Sequence, residues 1–179
     1  MVLKAATFML SQGFARDAER LARSSTDVRE KLLGKEHPNT LFSMLNLATI
    51  YSNQGRWEEA EELQVSVLES HKRVVGEEHP HTLTSMAHLA STYKQQGQLK
   101  MAEGLKVSVL EARKRVLGEE HPSTLNSMAN LAATHSDQGR WKEAEELKLS
   151  VLEARRRLLG EEHPDTLNSM ANLALTYKS

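Results

Sequence analysis

The chain has 179 residues, and its 23 lysines and arginines nearly balance 24 aspartates and glutamates, for a formal net charge of −1 at pH 7. This balance excludes the basic footprint of a nucleic-acid-binding protein, and the absence of cysteine excludes disulfides, thiolate metal sites and cysteine nucleophiles. No apolar stretch reaches the roughly 18 residues that span a membrane. We therefore expect a cytoplasmic protein with neither a nucleic-acid nor a membrane partner.

A 42-residue repeat runs along the chain. Gly13, Gly55, Gly97 and Gly139 follow one another at this constant step, and four His-Pro pairs, beginning with His37, keep the same step. Such regular spacing is typical of repeat proteins, in which every unit presents the same surfaces to its neighbours. We expect one domain over residues 1–179, built from units 1–37, 38–79, 80–121 and 122–163 and a partial unit 164–179.

Each unit is predicted to form two helices. Between Leu83 and Tyr93, apolar residues recur at helical spacing. Pro80 suits the first turn of this helix, and Gly97 suits the cap after its last turn. Taken in chain order, the pattern predicts no strand and nine helices, at 1–12, 15–33, 38–54, 57–75, 80–96, 99–117, 122–138, 141–159 and 164–179.

The predicted connections are short, which favours antiparallel neighbours. The expected fold class is therefore all-α, an α-solenoid of about four and a half antiparallel helix pairs. Ala60, Ala102 and Ala144 recur where a second helix approaches its partner, so we expect these three small residues to be buried.

The helix pairs carry a recognisable motif. Leu89-Ala90 is followed by Tyr93, and Gln-Gly precedes Trp57 or Trp141 and then Glu-Ala-Glu-Glu-Leu. This sequence resembles the tetratricopeptide repeat in its 42-residue kinesin-light-chain form, and especially the C-terminal arrays that fungal NOD-like receptors join to an NB-ARC domain. The resemblance implies a non-enzymatic scaffold for a protein or peptide ligand, either as the sensor part of a larger signalling protein or as a cargo adaptor.

The first helix of each unit carries a candidate binding face, opposite its core stripe. The resemblance implies that first helices line a concave groove. Small residues there leave space, and amides both donate and accept hydrogen bonds, which suits a peptide backbone. The alternative is that these asparagines are solvated or fill polar niches between helices. The candidate groove residues are Asn46, Thr49, Asn53, Thr84, His88, Ser91, Gln95, Asn126, Asn130, Ala133, Asp137, Asn168 and Asn172.

Little basic charge is expected in this groove, with only Lys94 and Lys178 at its edge. Tetratricopeptide domains that clamp a chaperone's C-terminal carboxylate use lysine, arginine and asparagine on their first helices. The matching positions here hold phenylalanine, leucine, threonine, alanine and asparagine. The sequence therefore favours a neutral or mixed peptide, or a partner helix, over a carboxylate clamp.

The His-Pro loops raise the question of a metal site. Successive copies are expected roughly 10 Å apart, the spacing of packed helices, whereas zinc binds its ligands at about 2 Å. We expect these histidines to cap helices or to be solvated, and we expect no metal and no cofactor. Carboxylates repeat at every step, while an active site needs a unique constellation, so no catalytic residue is expected.

The last predicted helix carries an apolar stripe with no second helix after it in the sequence. Solenoids normally need polar caps, and exposed apolar patches mark interaction sites. The alternative function is therefore end-to-end self-association, unless the helix frays or rotates to hide the stripe. The candidate contact residues are Leu167, Met170, Leu173 and Tyr177.

Overall fold

The computed structural model describes residues 15–176. These residues form eight helices and no strand, which confirms the all-α repeat fold. The ninth predicted helix, at 1–12, lies outside the described residues. The eight are α1 (Ala15–Leu33), α2 (Pro38–Asn53), α3 (Trp57–Val75), α4 (Pro80–Gln95), α5 (Leu99–Leu117), α6 (Pro122–Asp137), α7 (Trp141–Leu159) and α8 (Pro164–Thr176).

The first helices of the units begin at a histidine cap. His37 has extended backbone, and its Nδ1 accepts a hydrogen bond from the backbone N–H of Asn39 at 3.2 Å. His79 and His121 cap α4 and α6 in the same way. The proline that follows each histidine occupies the start of the helix, where its missing N–H costs nothing. The capping interpretation of these histidines is confirmed.

Three of the first helices, α2, α4 and α6, end one residue earlier than predicted. At α2, Gln54 is the cap, and its N–H donates to the carbonyl of Ile50 at 3.1 Å. The glutamine therefore satisfies a carbonyl at the helix end without continuing the helix. Gly55 then adopts a φ of 74°, a left-handed conformation that glycine enters without a steric penalty. The chain turns there into the second helix.

The described helices belong to two compact units, Met1–Gly97 and Gln98–Ser179. The first holds α1 to α4, and α1, α2 and α3 share a core in which small alanines let the helices approach closely. The fully buried Ala60 is part of this core, as predicted. Its buried members are Ala18, Ala22, Leu47, Ala48, Ile50, Tyr51 and Ala60.

The second unit holds α5 to α8. Leu125 of α6 packs with Val151 and Ala154 of α7, and Met128 and Ala129 lie against this cluster. Ala102 and Ala144 are fully buried as well, so the prediction for all three recurring alanines is confirmed. Among residues 15–176, no helix is both long and apolar enough to cross a membrane.

A recurring hydrogen bond ties each second helix to the first helix that follows it. In three of the four cases an arginine near the end of the second helix donates to the hydroxyl of a serine 14 residues later. In the fourth, a histidine takes the place of the arginine, and either its ring nitrogen or the serine hydroxyl is the donor. We call these the serine ties; they join Arg29 to Ser43, His71 to Ser85, Arg113 to Ser127 and Arg155 to Ser169.

Candidate peptide-binding pocket

A cavity of about 240 Å³ lies between three helices of the second unit. We call it the α6–α8 pocket. Two consecutive first helices, α6 and α8, form its walls together with the intervening second helix α7. Its lining residues are Ala129, Asn130, Ala133, Lys148, Val151, Arg155, Ser169, Asn172 and Leu175.

Three of the predicted groove residues meet in this pocket. Asn130 and Ala133 come from α6, and Asn172 comes from the next first helix. Ala129 and Ala133 are one helical turn apart, and their short side chains leave the space that a bulkier pair would fill. The amides are therefore placed beside a real cavity rather than on a flat helix surface.

Arg155 is a pocket residue that the sequence analysis missed. It is buried near the end of α7, and its Nη1 donates to Ser169 Oγ at 2.8 Å and to the main-chain oxygen of Asp165 at 3.2 Å. Its Nη2 donates to Asn126 Oδ1 at 2.5 Å. Asn126, a predicted groove residue, thus serves to hold this guanidinium between three helices.

Lys148 supplies a second cation from α7. Lys148 is one of the residues that line the pocket, and its Nζ donates to Ser136 Oγ at 3.1 Å. The expectation of little basic charge is therefore wrong for this unit. The predicted groove residues all belong to first helices, whereas both cations belong to a second helix. Lys178 lies outside the described residues.

The equivalent positions two repeats earlier in the sequence carry uncharged side chains. Gln64 stands where Lys148 does, and His71 stands where Arg155 does. His71 is buried, and its Nδ1 is 2.8 Å from Ser85 Oγ. Burial, with smaller contributions from His81 and His79, lowers the pKa of His71, so the ring is neutral at pH 7. The equivalent repeat in the first compact unit therefore keeps the same residue spacing but lacks the two positive charges.

Several predicted groove residues of the first unit bond to their own helix. Asn46 Nδ2 donates to the main-chain oxygen of Phe42 at 2.7 Å. Thr49 and Thr84 Oγ1 donate in the same way to the oxygens four residues back, at 2.9 and 2.8 Å. These bonds occupy the hydroxyl protons and one amide donor, which leaves fewer donors for a ligand here.

The remaining predicted groove residues lie at the surface. His88 is exposed, yet the protein around it desolvates the ring enough to lower its pKa, as a recessed position would. None of the others is buried, so they belong to the non-core face of their helices. They are Asn53, Ser91, Gln95, Asp137 and Asn168.

The apolar stripe of α8 divides between core and surface. Leu173 is buried with 8% of its surface exposed, whereas Leu167 is 51% exposed. Met170 is partly buried, and Tyr177 lies outside the described residues. Within residues 15–176, no group of three histidine or carboxylate side chains is arranged to hold a metal ion.

The comparisons with known proteins agree on one kind of repeat. Models of the tetratricopeptide repeat match residues 1–64, 42–114 and 124–165. A solved Podosopora anserina kinesin light chain with nearly identical TPR-like repeats is 32% identical, with a TM-score of 0.85 over 99% of this chain and 84% of that one. BtubC (BKLC) from P. vanneervenii is 27% identical, with a TM-score of 0.81 over 97% and 69%. The curated proteins give no match.

Proposed function

We propose that this chain, which belongs to the tetratricopeptide repeat family, is a non-enzymatic scaffold that binds a polypeptide along its first helices. Repeats of this family form protein-interaction scaffolds. The observation that carries the proposal is the α6–α8 pocket, where Asn130 and Asn172 from consecutive first helices flank one cavity.

The size and lining of the pocket favour a polypeptide over a small cofactor. Ligand pockets for drug-sized molecules usually measure about 300–1,000 Å³, and this one is smaller, at about 240 Å³. Such a volume suits one side chain of a longer ligand. Each asparagine amide offers both a donor and an acceptor, so the pair can bond to the ligand's backbone beside that side chain.

The biological role of the scaffold is proposed from the resemblance to known families. Kinesin light chains are among the solved relatives, which supports a cytoplasmic cargo adaptor. The similarity to the C-terminal arrays of NOD-like receptors supports a sensor or scaffold part of a larger signalling protein. We favour the signalling role, because the motif especially resembles those arrays, and keep the adaptor as its alternative.

A displayed library of random decapeptides tests the scaffold function on the full chain. Peptides selected by the wild type should bind the double variant Asn130→Ala, Asn172→Ala about 5- to 150-fold more weakly, because two buried hydrogen bonds together contribute about 1–3 kcal/mol. Glu145→Gln on α7 is the control and should bind normally. Failure to select any peptide, or equal affinity for the double variant, would contradict the proposal.

A second candidate function is self-association through α8. It is favoured by Leu167 and Leu175, which are 51% and 62% exposed on the same helix. Leu167→Glu should lower the sedimentation coefficient at high protein concentration, because a charge in the contact would be desolvated without a partner. Leu173→Glu is unsuitable as a test, since Leu173 is buried and the charge would unfold the unit. A wild-type chain that stays monomeric at every concentration would refute this function.

A further inference from the structure

We infer that the joint between α3 and α4 is an acid-sensitive switch built from three histidines. We call His71, His79 and His81 the histidine cluster. While the rings are neutral, they hold the start of α4 against the end of α3, and when they gain protons they release it. The inference goes beyond the scaffold function, because it concerns a change of conformation within the first unit rather than its ligand.

Histidine is concentrated in this one stretch of the sequence. The chain has eight histidines, and four of them lie between positions 71 and 88. The other repeats have arginine at the position of His71, and asparagine, serine or aspartate at the position of His81. Histidine is the side chain whose charge changes within the physiological pH range. Two departures from the repeat therefore add the same titratable group to one joint.

The structure places the three rings in one row. On α3, His71 Nδ1 lies 2.8 Å from Ser85 Oγ of α4, and the His71 ring stacks on that of His81 with their centroids 5.7 Å apart. The ring centroids of His81 and His79 are 5.1 Å apart. The row thus connects the end of α3 with the first turn of α4 and with the residue that caps it.

The helices packed against α3 offer a protonated His71 no carboxylate. These helices are α2 and α4, and neither contains aspartate or glutamate. Their titratable groups are Tyr51, His81, His88, Tyr93 and Lys94. The turn before α4 has Glu77 and Glu78, which are exposed, and Glu36 before α2 accepts a hydrogen bond from Arg73 Nε at 2.8 Å. A proton on His71 would therefore add a charge that no neighbouring helix balances.

The surroundings of His71 favour its neutral form. Its side chain is buried, and burial, followed by the two nearby rings of the cluster, lowers its pKa. At the same repeat position, the Arg155 guanidinium donates to three acceptors, one of them Asn126 Oδ1. Phe42 stands at the position of Asn126 in the first unit, and its side chain accepts no such bond. Protonation of His71 therefore weakens the joint as the pH falls from about 6.5 through the lower, folded-state pKa.

Protonation of His79 would act on the same helix end. Its Nδ1 accepts a hydrogen bond from the backbone N–H of His81 at 3.2 Å, and a protonated imidazole nitrogen accepts none. That N–H would then lose its cap at the start of α4. Positive charges on neighbouring rings also repel one another, so each step favours release of the first turns of α4.

Amide hydrogen exchange of the full chain, followed by mass spectrometry, tests the switch. Protection factors are measured at about pH 7.5 and 5.5, relative to the intrinsic exchange rates at each pH. In the first half of α4, protection should fall about tenfold, because one extra proton taken up on opening changes the equilibrium by about tenfold per pH unit. The first half of α6 is the internal control and should change less, since it has the capping His121 but is tied by Arg113.

The double variant His71→Arg, His81→Ser is the matched control. It installs the side chains that Arg113 and Ser123 supply one repeat later, so the serine tie should form, and a thermal melt at the higher pH checks the fold. Its α4 should respond no more than α6. A wild type whose α4 responds no more than α6, one in which every helix loses protection equally, or a folded variant that keeps the response would each overturn the switch. The comparison within the wild type stands even if the variant fails to fold.

Discussion

Four threonines occupy one register position and differ in a single hydrogen bond. All four are fully buried: Thr40, Thr82, Thr124 and Thr166. Thr82 Oγ1 donates to the main-chain oxygen of Gly76 at 2.6 Å, whereas the hydroxyl of Thr124 has no partner within the described residues. A buried hydroxyl without a partner keeps the full cost of its desolvation.

Valine at these two positions should therefore have opposite effects. Thr124→Val removes an unsatisfied hydroxyl at nearly constant shape and should raise the free energy of unfolding by about 1 kcal/mol. Thr82→Val removes a hydrogen bond and should lower that free energy by about 0.5–1.5 kcal/mol. Urea denaturation of both variants measures the difference. A Thr124→Val variant less stable than Thr82→Val would contradict the assignment of these hydroxyls.

His71 makes the stability of the chain sensitive to pH. Burial and the nearby rings of His81 and His79 lower its pKa in the folded state. The histidine pKa in the unfolded chain is about 6.5. Between that pH and the lower folded-state pKa, the unfolded chain is protonated at His71 and the folded chain is not. The contribution of His71 is fully present above pH 6.5 and is lost as the pH falls from there through the lower, folded-state pKa.

We expect His71→Gln to flatten this acid-side loss of stability. Glutamine can still bond to the hydroxyl of Ser85 but takes up no proton. Urea denaturation at several pH values between 7.5 and about 5 measures the slope for the wild type and the variant. Equal slopes would show that the ring's protonation does not contribute.

The site residues show how far a sequence can predict chemistry at this scale. The position of Asn130 and Asn172 on the non-core face of consecutive first helices was predictable from the helical period. Arg155 was not predictable from that face, because it reaches the pocket from the end of α7. The sequence does contain a pattern that marks this position. An arginine or histidine recurs once in every repeat, and a serine always follows it at the same distance.

At the level of the element, glycine has two opposite roles in and beside α5. Gly104 lies within the helix, and a Cβ built on it meets nothing within 4 Å. Gly118 follows the helix with a φ of 90°, and its Cβ would also meet open space. Sterics are therefore equal at the two positions, and only the backbone conformation differs.

Alanine substitutions should separate these roles. Gly104→Ala should raise the free energy of unfolding by about 0.5–1 kcal/mol, because glycine within a helix loses more backbone entropy on folding. Gly118→Ala should lower that free energy by about 1–3 kcal/mol, because it forces a side chain into a positive-φ conformation, with φ 90° and ψ 164°, that is essentially restricted to glycine. Thermal melts of the two variants report the signs. Stabilisation by both substitutions would contradict the assigned conformation of Gly118.

The helices themselves were largely predictable, since their ends are set by local signals. A histidine and proline start α2, α4 and α6, and the predicted bounds of α1, α3, α5 and α7 agree with the structure. The one-residue difference at Asn53, Gln95 and Asp137 arises because the next glutamine caps the helix. Capping by a main-chain N–H leaves no trace in residue type, so the sequence could not reveal it.

At the level of the whole molecule, the repeat predicted the succession of helices but not their division into two compact units. The boundary between Gly97 and Gln98 falls inside the predicted unit 80–121, between its two helices. The sequence departs from the repeat pattern beside this boundary. Leu99 stands where Trp57 and Trp141 stand, and Gln98 stands where Arg56 and Arg140 stand.

The serine ties have a consequence for how such a chain can evolve. Each 42-residue repeat carries the serine that bonds to the repeat before it and the arginine or histidine that bonds to the serine of the repeat after it, always at the same spacing. Recombination between two misaligned copies of the gene would add or remove one whole repeat and restore every tie; loss of 80–121, for example, would pair His71 with Ser127. Repeat number can therefore drift over generations without new mutations at the junction.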